Sequence, residues 1–170
     1  MLQSVSWVRS CVAVIGMATL WFGGTNQAVA QSPGTYGVSQ LYDFRQIVGS
    51  FGATNQQRAR GVRFAISSTR KQITIAVPDT WYGTMTGQLT PVSGQRNLYS
   101  FSTVRTYYTT GGSSVAVIYG IIQVNQNGVP VAMAIQVRAG NNFAAVVNKQ
   151  SFGSGVSSVW QTSMTLRRLY

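Results

Sequence analysis

The sequence predicts an all-β fold, an antiparallel barrel or sandwich of about eight strands with one short N-terminal helix. Two observations lead there. β-branched and aromatic residues recur in short runs from residue 62 to the C-terminus. Glycine-bearing polar clusters, "PVSGQRN", "TTGGSS" and "SFGSG" among them, separate those runs at the spacing of short strand connections.

The first thirty residues read as a separate unit. Arg9 supplies a positive start, "CVAVIGMATLWF" an apolar core, and "AVA" at 28–30 the small residues of a cleavage site. The core is shorter than the roughly 20 apolar residues that a spanning helix needs. Residues 1–30 are therefore expected to be a cleaved signal peptide, with an uncleaved anchor as the rival. The single cysteine, Cys11, lies inside it. Residues 31–38 are expected to form a flexible mature N-terminus, and residues 39–170 one β-rich domain.

Along that domain, "SQLYDFRQIVG" predicts the helix: Ser39 as N-cap, Leu41, Phe44, Ile47 and Val48 at helical spacing, Gly49 as stop. "SFGATNQQRARG" then reads as a polar loop. In "RGVRFAISSTRKQITIAV", a four-residue "SSTR" loop sets Ile66 opposite Lys71, Phe64 opposite Ile73 and Val62 opposite Ile75. Strands are expected at Trp81–Leu89 and Leu98–Tyr108. Asn127-Gly128 predicts a type I′ hairpin with Ile122 opposite Met133, Ile118 opposite Val137 and Val124 opposite Val131. "AGNN" is expected to turn the chain into a short strand, Phe143–Val147, and Val156–Leu169 to form the last strand.

Charge is the most informative bulk property. Thirteen Lys and Arg face only Asp43 and Asp79, with no glutamate. Only Arg9 is lost with the leader, so the mature chain carries +10. Such an imbalance attracts polyanions in a salt-dependent way. The chain has no histidine, and no cysteine after residue 11. Catalytic triads, Cys-His pairs and transition-metal sites are thus excluded by composition. Asp43 is expected in the first turn of the helix and Asp79 in the turn after Pro78, as structural residues. No cofactor, metal or enzymatic activity is expected.

The binding candidates are Arg58, Arg60, Arg63, Arg70 and Lys71, clustered around the first hairpin, with Trp81, Tyr82 and Arg105 as an aromatic contact. Aromatic rings beside cations stack sugars or bases, although alternating strand aromatics more often form core. The expectation is an exported, periplasmic or secreted, non-catalytic protein that associates with an anionic polymer. An anionic glycan, lipopolysaccharide, an anionic lipid surface and extracellular nucleic acid all meet that description. A self-associating envelope subunit and a small outer-membrane barrel are the alternatives; for the latter, Arg168 sits awkwardly on the apolar face of the last strand.

Overall fold

A computed structural model describes residues 31–110, 112–148 and 154–170. The expected signal peptide, with Cys11, lies outside the described residues. Eight antiparallel strands form a closed barrel: β1 (Gly34–Val48), β2 (Arg63–Ile66), β3 (Gln72–Ala76), β4 (Thr84–Pro91), β5 (Leu98–Thr109), β6 (Gly112–Val124), β7 (Pro130–Gly140) and β8 (Val156–Arg168). Each strand pairs with its successor, and β8 returns to β1. Among the described residues, two short helices, α1 (Gly52–Arg60) and α2 (Phe143–Val147), sit in connections.

Alternation turns one side chain in two inward. Phe64, Ile75, Phe101, Ile118, Ile135 and Trp160 meet in one buried apolar cluster that fills the barrel. Outside, β2 to β4 present Arg63, Gln72, Thr86, Gln88 and Thr90 to solvent, the polar face of a solvated wall. The register of β6 and β7 matches the expectation over Ile118↔Val137 and Ile122↔Met133. In the first hairpin the pairing is Phe64↔Ile75 and Ile66↔Ile73, a slip of two residues from the expected register. Because the side-chain period is two, that slip leaves every residue on its expected face.

Several local expectations are corrected. The segment 39–48 is strand, not helix, and Asp43 lies in a β-bulge region rather than a helical turn. β1 shifts register between Val38 and Gln40 and again between Tyr42 and Arg45. Its core-packing residues are therefore Val38, Leu41 and Phe44, three apart, which imitates helical spacing. Residues 34–38, expected to be loose, open β1: Tyr36 is fully buried and stacks on Phe64 at 5.2 Å.

The polar "SFGATNQQRARG" contains α1, which buries only Asn55 and Ala59, so it shows no apolar stripe. Phe143–Val147 is helical, not extended: Asn142 caps it by accepting from the Ala145 N–H at 3.0 Å. At the β6–β7 turn only Gly128 has positive φ (+76°), so the turn is not type I′. Asn125 Oδ1 accepts from the N–H groups of Asn127 and Val129, and Val124 pairs with Pro130 across a bulge.

Burial holds several tyrosines above their ordinary ionisation range. Desolvation raises Tyr36, Tyr82, Tyr99 and Tyr119, and nearby Arg168, Arg58 and Arg138 partly offset it at Tyr36, Tyr82 and Tyr119 respectively. Below the ordinary value of 10.0 these phenols are neutral folded or unfolded. Above it the unfolded chain ionises first, so the barrel loses stability as pH rises from there through the raised values. Urea midpoints followed with tyrosinate absorbance should fall together across that window; a flat midpoint would contradict the burial.

Candidate functional site

The topology divides the connections between two ends. The α1 end carries the β1–β2, β3–β4, β5–β6 and β7–β8 connections. The far end carries the other three and both edges of the chain, where Thr35 N–H donates to Tyr170 O at 3.1 Å.

At the α1 end the helix closes part of the barrel mouth through a polar chain. Arg58 Nη1 donates to Asn55 Oδ1 at 3.1 Å, and Asn55 Nδ2 donates to Gln46 Oε1 at 3.0 Å. Gln46 Nε2 in turn donates to Val159 O at 3.3 Å. Asn55 stands one turn from Ala59, and both face inward.

The rest of the mouth is a cleft of about 360 Å³ lined by Trp81, Ser114, Gly140, Asn141, Gly155 and Val156 with Ser157. Tyr107 is the cross-strand partner of Ser114, which places its ring beside the cleft on the same face. One wall is bare backbone: a Cβ on Gly140 would stand 1.9 Å from Gly155 O, so only glycine fits where β7 ends against the start of β8. Trp81 is 46 % exposed and meets the buried Tyr82 edge-on at 5.4 Å.

Arg105 belongs to the same place. The β4–β5 ladder joins Gln88–Pro91 to Tyr99–Ser102. Beyond it Arg105 Nη1 bridges the two strands instead, donating to Tyr82 O at 2.9 Å and Thr84 O at 3.2 Å. Trp81, Tyr82 and Arg105 are thus brought together, Trp81 and Arg105 exposed and Tyr82 buried.

The basic cluster is divided. Arg58 and Arg60 ride on α1 and Arg63 opens β2, all toward the α1 end. Arg70 and Lys71 lie in the β2–β3 turn at the far end, Arg70 with φ +60°. Arg167 enters instead, from the other end of the sequence. Gly37 is the partner of both Arg63 on β2 and Arg167 on β8, so the two exposed arginines share one outer row two strands apart, about 10 Å. Only the β1–β8 closure could reveal that neighbour. The exposed rings of Phe51, Tyr107, Tyr108 and Phe143 also gain significance only from their common end. In the sequence they read as ordinary strand and loop aromatics.

The guanidinium groups that bond within the fold bond uncharged oxygens. Arg58 meets the Asn55 amide, Arg105 two carbonyls, Arg138 the carbonyls of Ala145 and Asn148, and Arg168 the carbonyl of Pro33. These bonds position the groups, and a carbonyl or amide oxygen brings no formal charge to a guanidinium. Comparison with protein-family models, with curated proteins and with solved structures finds no match.

Proposed function

We propose that the chain is an exported, non-catalytic binding protein that associates through its basic surface with anionic envelope or extracellular material. The observation that carries this reading is the charge balance: thirteen Lys and Arg stand against two Asp, and Arg58, Arg105 and Arg168 are anchored on neutral oxygens, which supports a positive field for an external partner. A barrel interior filled with apolar side chains supports a surface site over an internal ligand chamber. Asp43 and Asp79, the only carboxylate side chains, are exposed on separate elements, in β1 and the β3–β4 turn.

Two features favour this reading over its alternatives. Each strand of the closed order has a neighbour on both sides, and where the β4–β5 ladder stops Arg105 occupies the gap, a charged group that opposes edge-to-edge assembly of copies. Threonine and glutamine outside β2 to β4, over an apolar interior, are the reverse of the lipid-facing pattern of a membrane barrel.

The test is salt-dependent retention on a polyphosphate column. Replacing Arg58, Arg60 and Arg63 together by glutamine should lower the eluting salt concentration, because each lost phosphate contact reduces counterion release. Unchanged elution would remove the α1 end from the interface, and no retention of the parent protein would refute the reading.

A further inference from the structure

The aromatic residues are distributed unequally between the two ends. Each of the four connections at the α1 end carries or adjoins an exposed ring: Phe51 before α1, Trp81 between β3 and β4, Tyr108 at the β5–β6 tip and Phe143 at the start of α2. Their exposures are 62 %, 46 %, 77 % and 53 %, values far above those of core aromatics such as Phe101 at 5 %. The three far-end connections, 67–71, 92–97 and 125–129, contain no aromatic residue, and the exposed ring at that end is Tyr170, which carries a polar hydroxyl.

Hydrogen bonds hold two of these rings in place, Phe143 and Trp81. Asn142 caps the helix that begins with Phe143, and the buried Arg138 donates to Ala145 O at 2.9 Å, fixing that helix to the outer wall. Thr80 Oγ1 donates to Val77 O at 2.9 Å and accepts from Gly83 N–H, closing the turn that presents Trp81. Exposing four large rings at one end leaves apolar surface in water without a folding gain.

We infer that the α1 end docks flat on an anionic lipid bilayer, with Phe51, Trp81, Tyr108 and Phe143 entering the interfacial region while Arg58, Arg60 and Arg63 meet lipid phosphates. Aromatic rings suit the boundary between headgroups and hydrocarbon, and basic residues near an anionic leaflet add attraction. A soluble polyanion satisfies the arginines but offers Phe51 and Phe143, which have no polar atoms in their side chains, nothing to bury against. Asp79 is the acid on this end and limits the attraction locally. The inference rests on the polyanion reading above and names its partner.

The experiment uses a chain beginning at Gln31, which contains all eight strands and excludes the apolar leader. It should float with phosphatidylglycerol vesicles and not with phosphatidylcholine vesicles. The triple variant Phe51→Ser, Tyr108→Ser, Phe143→Ser should lose at least about tenfold in vesicle affinity while keeping its polyphosphate retention, since only the apolar part of the contact is removed. Trp81 emission should shift to the blue on vesicles; Trp160, already buried, reports that the barrel stays intact.

Equal vesicle binding by the triple variant would overturn the docking and leave the polyanion reading standing. Failure of the parent to bind either vesicles or polyphosphate would overturn both. Capture of a soluble oligosaccharide that depends on Trp81, without vesicle binding, would also overturn the docking and assign the mouth to a glycan.

Discussion

Phe101→Ala should lower the unfolding free energy by about 3–5 kcal/mol, the usual cost of emptying a buried phenyl site. Gly120→Ala should cost about 1–3 kcal/mol for the opposite reason, overpacking. The two residues are cross-strand partners on β5 and β6, and both face inward. The phenyl ring occupies the place a side chain at 120 would take: a Cβ there would lie 2.2 Å from Phe101 Cζ and 2.3 Å from Cε1. Neither backbone can retreat without breaking a continuous ladder that runs from Leu98↔Gln123 to Thr109↔Gly112. In the Phe101→Ala background the new methyl enters vacated space, so Gly120→Ala should there be neutral or stabilising. Urea unfolding of all four members of the cycle measures the coupling, and additive effects would show that the ring does not sit over Gly120.

Arg138→Ala should release α2 from the wall. Arg138 is 1 % exposed on the outer side of β7, and desolvation lowers its pKa. Its guanidinium donates to Ala145 O and Asn148 O at 2.9 and 3.1 Å, while the Tyr119 hydroxyl donates to Val147 O at 2.7 Å. A hydrogen bond to a charged group contributes about 1.5–3 kcal/mol, and the two part-buried bonds would be lost together. Hydrogen exchange should therefore accelerate first in residues 143–148, with Val146 leaving its packing on Val115 and Val117. Protection in β6 and β7 should change less, because their own ladder is untouched. Uniform loss of protection would mean that α2 and the barrel unfold as one unit.

An antiparallel all-β fold of about eight strands was legible in the sequence because most strands obey one rule, whereas closure into a barrel rather than a sandwich was not. Val62, Phe64, Ile73 and Ile75, or Ile118, Ile122, Met133 and Val137, alternate cleanly enough to place the inner face even with the first register two residues off. What misled was a change of period. Two bulges in β1 put Val38, Leu41 and Phe44 three apart, and a spacing of three is what a helix would show. The true helix was invisible for the complementary reason: α1 hides only an amide and a methyl, and its contribution to closure is a chain of polar bonds through Asn55 and Gln46. α2 was misread because Val146 and Val147 favour strands by propensity; the Asn142 cap and the Arg138 anchor prevail over it. Of the binding candidates, the sequence could group only neighbours along the chain. It joined Arg70 and Lys71 to Arg63, whereas the closed sheet joins Arg63 to Arg167.

That closure also sets the order of events in folding. β1 pairs with β8 along most of its length, so Leu41 and Gln46 find their partners only at Met164 and Trp160, more than a hundred residues later. A chain emerging N-terminus first can form the β2–β3 and β6–β7 hairpins early, since their loops are short. β1 must remain partly unpaired until the C-terminal strand arrives, and this long loop closure carries the largest entropic cost in the molecule. Moving the chain ends into the far-end β2–β3 turn, with Tyr170 linked to Gly34, would turn the slowest pairing into a local hairpin and should hasten folding of the same barrel.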